Sequence, residues 1–330
     1  MKGKTFTERS EVRFIRVSSH EFLKLLIATV MIGVFPKVLS AEIEPLIDPT
    51  FAPLTVRSLS ALAFEPGGKM LVATNFYTSA REGSLFRVTT NGTTDNSFII
   101  VSAAGSPNGC GPGVINAILP TEKTIFIGGD FAALNGATHA LVGKLNYEGA
   151  LDQNFKSVLG FSSGGCTGVR SMALQTDGKM LIAGLFRLPG QGADSRLARL
   201  NPDGSVDTTF SLSPNFGPEY VVVNAIALQS DGKLILAGRF GVVSGFERHS
   251  IVRFNPDGTV DQAFSPAVSS DWDSNGWISS VVVQPDSRIL LGGYFQYANG
   301  LRRDGLARIR VDGSWTQVSM PVKLRMKRSI

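Results

Sequence analysis

VNAIALQSDGKLILAGRFGVVSGFERHSIVRFNPDGTVDQAF, residues 223–264, is the stretch whose reading decides the fold. VNAIAL is rich in β-formers and runs into the turn signal QSDG, and KLILAGRF is a second strand of similar length. A longer loop (241–249) leads to SIVRFN, and PDG reverses the chain into TVDQAF. Nowhere does an apolar stripe with a 3.6-residue period appear. The stretch reads as four short antiparallel strands.

The same pattern recurs along the chain. VRSMALQTDGKMLIAGLF (169–186) and SRLARLNPDGSVDTTF (195–210) form the preceding unit, and three weaker copies keep the register. A phenylalanine closes the second segment at Phe76, Phe131, Phe186, Phe240 and Phe295, with spacings of 55, 55, 54 and 55. A basic column follows at Arg87, Lys144, Arg199, Arg253 and Arg308. An acidic one stands at Asp95, Asp152, Asp207 and Asp261, and an aromatic one at Phe98, Phe155, Phe210 and Phe264. Units of four strands and about 55 residues predict an all-β protein, a five-bladed β-propeller with one unit per blade.

Alternation along the first strand supports this packing. One face carries Ala61/Ala63, Asn116/Ile118, Ser171/Ala173, Ala225/Ala227 and Ser280/Val282. The other carries Leu62/Phe64, Ala117/Leu119, Met172/Leu174, Ile226/Leu228 and Val281/Val283. The smaller face of one blade is expected to meet the bulkier face of the next. Gly129, Gly184, Gly238 and Gly293 stand two residues before the phenylalanine column, where glycine permits close backbone approach. In the last unit, Thr316 and Ser319 replace the expected acid and phenylalanine, and the missing pair appears early as Asp48 and Phe51. This predicts that the N-terminal segment supplies the outer strand of the fifth blade and closes the ring. An incomplete piece of a larger ring is the alternative.

The first 41 residues read as an address. LLIATVMIGVF (25–35) is too short to span a bilayer, is preceded by basic residues and is followed by Pro36, Ser40 and Ala41. That is the layout of a secretory signal peptide cleaved after Ser40 or Ala41. The propeller then occupies 42–319, with a basic tail at 320–330. Residues 1–41 carry seven Lys/Arg and three Glu, so of the total charge of +5 only about +1 remains, and the tail holds +4 of its own. The body is near −3, so the basic balance does not indicate a nucleic-acid groove. A secreted monomer, periplasmic or extracellular, with no membrane span after cleavage, is expected.

DGKLILAGRF followed by IVRFNPDGTVDQAF resembles the delta-60 repeat family of bacterial propellers, from residue 48 to about 318. The resemblance implies a secreted or cell-surface protein without assigned biochemistry, and it brings no catalytic residues to carry over.

Arg253 and Asp261 lie symmetrically about PDG and should be cross-strand neighbours. The columns thus predict structural ion pairs: Arg87–Asp95, Lys144–Asp152, Arg199–Asp207, Arg253–Asp261 and Arg308–Asp48. Both tight turns of a unit fall on one face of the ring and the longer loops on the other, where ligand sites concentrate. Candidate ligand-binding residues there are Trp272 and Trp277, as a stacking platform for a sugar ring or as packing for their loop, with Phe216, Tyr220, Arg239 and Tyr294. Asp271, Asp273, Asn275 and Gly276 match the opening of a calcium loop, but Val282 stands where glutamate is required, so no metal is expected. Cys110 and Cys166 lie 56 residues apart in equivalent loops, and a secreted protein favours a disulfide between them; two separate buried thiols are the alternative. GFSSG (160–164) has the G-x-S-x-G spacing without the strand-turn-helix a nucleophile elbow needs. With no catalytic constellation and no cofactor motif, the expectation is a non-enzymatic module that presents its long loops to an extracellular protein or glycan. A propeller-type glycan hydrolase and a purely structural surface module are the alternatives.

Overall fold

The computed structural model describes residues 58–75, 83–105, 113–162, 168–210, 212, 214–216, 221–271 and 274–315. Every regular element among them is a β-strand, and no helix is long and apolar enough to cross a membrane. The expected signal peptide, the segment with Asp48 and Phe51, and the basic tail lie outside the described residues.

Each unit forms one antiparallel sheet with an inner, a middle and an outer strand. Sheet one holds Leu59–Phe64, Met70–Thr74 and Gly83–Val88. Sheet two holds Val114–Pro120, Thr124–Asp130 and Val142–Asn146. Sheet three holds Gly168–Leu174, Met180–Arg187 and Asp194–Leu200. Sheet four holds Val222–Leu228, Leu234–Arg239 and Ile251–Phe254. Sheet five holds Trp277–Val283, Ile289–Tyr294 and Leu306–Ile309.

In unit five Ile309 bridges Trp315, and the residues that follow lie outside the described ones. In units one to four the expected fourth strand is reduced to a single bridge: Val88 with Thr94, Leu145 with Leu151, Leu200 with Val206, and Phe254 with Val260. The aspartate that follows is the reason. The Asp95 amide still donates to the Arg87 carbonyl at 2.8 Å, but its carboxylate takes the Ser97 amide at 3.0 Å, and its carbonyl takes the Phe98 amide at 3.1 Å. Such an Asx turn competes with the ladder and bends the chain away. The longer loops are also more ordered than their sequence suggests. Residues 132–139, 241–249 and 296–304 each carry a two-residue hairpin. Their turns are Asn135-Gly136, Ser244-Gly245 and Asn299-Gly300, with both residues at positive φ as a type I′ turn demands. Val101–Ala104 adds a further strand to sheet one.

Strict alternation along the inner strands fails. Each is interrupted by a β-bulge, between Leu59 and Ala61, Ile115 and Ala117, Val169 and Ser171, Val223 and Ala225, and Ile278 and Ser280. The bulge inserts one residue and switches the faces. It also corrects the register of unit two: Ala117, paired with Gly128, corresponds to Ala61, whereas Asn116 is the bulged residue and corresponds to Ser60. The glycine column is set by this bulge within a sheet. A Cβ on Gly129, Gly184, Gly238 or Gly293 would lie 1.9–2.0 Å from the carbonyl oxygen of Val114, Gly168, Val222 or Trp277.

Sheets pack in chain order, inner strand beside inner strand. Leu71, Ala73 and Leu85 of sheet one meet Ile125, Ile127 and Leu145 of sheet two. The opposite face of sheet two, with Phe126 and Val142, meets Met180, Ile182 and Leu200. Leu181 and Ala183 then meet Leu234, Leu236 and Phe254, and Ile235 and Ala237 meet Ile289 and Leu291. Every interface joins the same pair of faces. The remaining face of sheet one, with Val72, Phe86 and Val88, forms a separate small cluster. Among the described residues no comparable packing joins sheets one and five.

Replacing Gly238 by alanine should destabilise the protein by about 2–4 kcal/mol, because the carbonyl it strikes is backbone and cannot swing aside. Gly192, with nothing within 4 Å of its hypothetical Cβ, serves as the neutral control. Urea denaturation of the two variants measures the difference.

Candidate functional site

The strongest charges belong to a repeated rim device. Asp95 Oδ2 accepts from Lys69 Nζ at 2.8 Å and Arg87 Nε at 2.9 Å. Asp207 Oδ2 takes Lys179 at 2.8 Å and Arg199 at 2.7 Å, and Asp261 Oδ2 takes Lys233 at 2.8 Å and Arg253 at 2.9 Å. The guanidinium of each arginine lies over the phenylalanine three residues past its aspartate: Arg87 on Phe98 at 5.0 Å, Arg199 on Phe210 at 4.8 Å and Arg253 on Phe264 at 4.1 Å. Unit two has Thr124 and Lys144 in these places, and keeps one bond, from Lys144 to Asp152 at 2.9 Å. The partner assigned to Arg308, Asp48, lies outside the described residues. The lysines were the missed members, and their signal was the lysine directly after the turn glycine: Gly68, Gly178 and Gly232.

Lys69 and the Ser97 hydroxyl hold the Asp95 carboxyl far below the usual carboxylate range, and Lys179 and the Thr209 hydroxyl do the same for Asp207. At Asp261, burial pushes upward, but Lys233 and Arg253 overcome it and the net direction is down. Glu65, beneath Arg87, is pushed up by burial against the pull of that arginine at 3.7 Å.

The bulged residues gather at the long-loop end of the inner strands: Ser60, Asn116, Arg170, Asn224 and Ser279. Arg170 Nη1 donates to Asn224 Oδ1 at 3.4 Å, and Asn224 Nδ2 donates to the Ile278 carbonyl at 2.9 Å, which links three successive sheets. This polar column was visible in the sequence at spacings of 56, 54, 54 and 55, but strict alternation concealed it. Arg239 and Tyr294 end the neighbouring middle strands, opposite Val222 and Trp277. Tyr294 is 48% exposed, and the half-buried Trp277 has its indole Nε1 enclosed without a hydrogen-bond partner. Of the six candidate ligand residues, the structure thus brings Trp277 and Tyr294 together on paired strand ends and sets Arg239 in the adjoining sheet. Phe216 stands apart from them. It is buried, 5.4 Å from the Phe240 ring, because the chain before sheet four folds inward to cover that sheet. Trp272, Tyr220, Cys110 and Cys166 lie outside the described residues.

The remaining motifs are occupied structurally. Asn275 Oδ1 faces His249 Nδ1 at 3.1 Å, and Asp271 raises the Tyr297 hydroxyl by accepting its hydrogen bond. Ser162 of GFSSG is fully buried and donates to Asp194, which Arg187 Nε also engages at 3.1 Å. His139 is buried, and burial with Lys156 nearby lowers its pKa. No group of three or more potential metal ligands occurs among the described residues.

A family model described as "Domain of unknown function (DUF5122) beta-propeller" matches residues 66–98, 175–210, 229–264 and 284–314. The matches support a repeat protein of β-propeller type. The matched segments run from the first tight turn toward the aromatic column, and unit two, with Thr124 and Lys144, falls outside them. No curated protein matches the chain. Similar solved structures include a gluconolactonase from Xanthomonas campestris, 11% identical, covering 72% of this chain and 69% of that one at a TM-score of 0.41. A putative 6-phosphogluconolactonase from Bacteroides uniformis is 12% identical, covering 78% and 69% at a TM-score of 0.43. A catalytically inactive virginiamycin B lyase from Staphylococcus aureus, with quinupristin, is 13% identical, covering 80% and 70% at 0.40.

Asp207→Asn should cost about 2–4 kcal/mol at neutral pH, since it leaves a lysine and a stacked arginine without their counter-charge. Asp286→Asn, in the exposed pair with Arg288, should cost about 0–1 kcal/mol. Because the folded Asp207 carboxyl titrates below its unfolded value, its contribution is complete above the ordinary carboxylate range and disappears as pH falls through and below it. Urea midpoints measured from neutral to acid pH should show the variant and the parent converging.

Proposed function

We propose that this is a secreted, non-enzymatic propeller of five blades that presents its long-loop face to an extracellular glycan or protein. The observation that carries the reading is the employment of the carboxylates. Asp95, Asp152, Asp207 and Asp261 hold the rims, and Asp177, Asp203, Asp231, Asp257, Asp286 and Asp312 cap tight turns through the amides two residues on. Asp194 is bound to Ser162 and Arg187. A glycoside hydrolase needs two carboxyls roughly 5–9.5 Å apart around one opening; most of the acids described here serve rims and turns instead, and Asp130 stands at the long-loop end of sheet two, in the position that Arg239 and Tyr294 take in sheets four and five. The long-loop end offers polar and aromatic groups suited to recognition: Arg170, Asn224, Arg239, Trp277 and Tyr294.

Ring closure by the segment around Asp48 and Phe51 belongs to the same proposal. Its support is the repeat logic of the interfaces, which leaves one apolar face of sheet one and the opposite face of sheet five as the two members without a matching sheet. Phe51→Ala should then cost about 3–5 kcal/mol, as removal of a buried phenylalanine does. An unchanged denaturation midpoint would count against closure by this segment.

A glycan array probed with the mature protein tests the binding role. Signal on a defined subset of glycans is expected, with no reducing ends released, and Trp272→Ala and Trp277→Ala should each weaken it by about tenfold or more. Signal indifferent to both substitutions would remove the aromatic platform from the proposal, and steady release of reducing sugar would replace it with the hydrolase.

A further inference from the structure

The joint between sheets one and two holds a buried acid where the equivalent turns hold an amide. Glu65 follows the inner strand of unit one and opens its first tight turn, its amide donating to the Lys69 carbonyl at 2.9 Å. Gln175, Gln229 and Gln284 occupy the same place in units three, four and five, with their amides bonded to the carbonyls of Lys179, Lys233 and Arg288 at 2.7–2.9 Å. In unit four the neutral side chain meets the rim arginine directly, Arg253 Nη1 donating to Gln229 Oε1 at 3.3 Å.

The surroundings of Glu65 also suit a neutral group. Its side chain is fully enclosed, and that of Arg87 beside it is 4% exposed. Lys69 from the turn, Arg87 from the outer strand and Tyr147 from the second turn of sheet two face it, and Asp95 completes the cluster through the two cations. Both cations are already committed. Lys69 Nζ and Arg87 Nε share Asp95 Oδ2 at 2.8 and 2.9 Å. Arg87 Nη2 donates to Ser97 Oγ at 3.2 Å, and Nη1 crosses to the Tyr147 carbonyl at 2.7 Å. Nη1 stands 3.7 Å from Glu65 Oε1, too far for a hydrogen bond. An ionised Glu65 would be a second, enclosed anion beside cations that Asp95 already holds.

We propose that Glu65 makes this joint a proton-operated switch, closed while its carboxyl is protonated and loosened when the proton leaves. A protonated glutamate has the shape and neutrality of the glutamine in the other units. Once ionised, it competes with the Tyr147 carbonyl for Arg87 Nη1, the side-chain bond that ties sheet one to sheet two. Burial pushes the carboxyl up against the opposing pull of Arg87, Tyr147 and Lys69, and the net direction is up. The folded joint therefore holds the proton more tightly than the unfolded chain does. Its contribution is complete below the ordinary carboxylate range and is lost as pH rises through the folded value. Asp95 acts in the opposite sense and in a separate window, because Lys69 and the Ser97 hydroxyl keep it ionised until far below that range.

Amide hydrogen exchange of the full chain and of Glu65→Gln, followed from about pH 4 to about pH 9, tests the switch. The Ile99 amide, bonded to the Glu148 carbonyl at 2.7 Å, reports on this joint, and the Lys156 amide, bonded to the Asp203 carbonyl at 2.8 Å, reports on the next. Comparing the two chains at each pH cancels the intrinsic exchange rate and any titration of His139, which Lys156 influences. Ile99 protection should agree at the acid end and become about tenfold greater in the variant at the alkaline end, the equivalent of one pKa unit. Lys156 protection should stay equal throughout. Equal Ile99 protection at every pH overturns the proposal. A variant less protected than the parent at neutral pH does so in favour of a permanent Glu65–Arg87 ion pair, and a change of the same size at Lys156 does so in favour of a global effect on stability. Failure of the variant to fold also counts against it, since glutamine is what the equivalent turns carry.

Discussion

A guanidinium placed on a phenyl ring and covered by the next sheet loses much of its water, and that is costly unless a carboxylate meets it. In units one, three and four a single aspartate oxygen meets both the arginine and the lysine of the first tight turn. The same aspartate ends the outer strand by capping the turn that follows. One side chain therefore neutralises the rim, terminates the ladder and aims the chain at the next unit. The phenylalanine it delivers packs between sheets, so the ionic and apolar parts of each interface form together. Unit two shows what remains when the device is simplified: a single lysine bond, with the backbone contact of Lys156 to Asp203 closing the rim.

The polarity of the molecule follows from this arrangement. Tight turns and ion-paired rims occupy one side, and the bulged inner strands and small hairpins occupy the other. Carboxylates are concentrated where they hold structure. Amide, guanidinium and aromatic groups are concentrated at the inner strand ends, where Arg170, Asn224 and the Ile278 carbonyl already connect three sheets.

Much of this was legible in the sequence, for a physical reason. Columns of phenylalanine, basic residues and aspartate keep phase from unit to unit because each residue type meets similar neighbours in most copies, so strand order and the ion pairs of units one to four could be read from spacing. The bulge could not. An inserted residue leaves the spacing of the columns unchanged and alters only which face a side chain takes, so Asn116 was placed one position out of register and the polar column was overlooked. The outer strand was overcounted because TVDQAF alternates like a strand while Asp261 turns it after one bridge. Phe216 resembled a loop aromatic available to ligand, but only tertiary packing reveals that it lies against Phe240.

The interfaces between sheets all join one kind of face to the other, never like to like. Such head-to-tail stacking has a direction but no inherent stopping point. Duplication or loss of one whole 55-residue segment would therefore preserve every pairwise contact while changing only the curvature of the array. Gene-length variation in multiples of that period is, for this architecture, a geometrically conservative change, and the number of copies is governed by what joins the two ends.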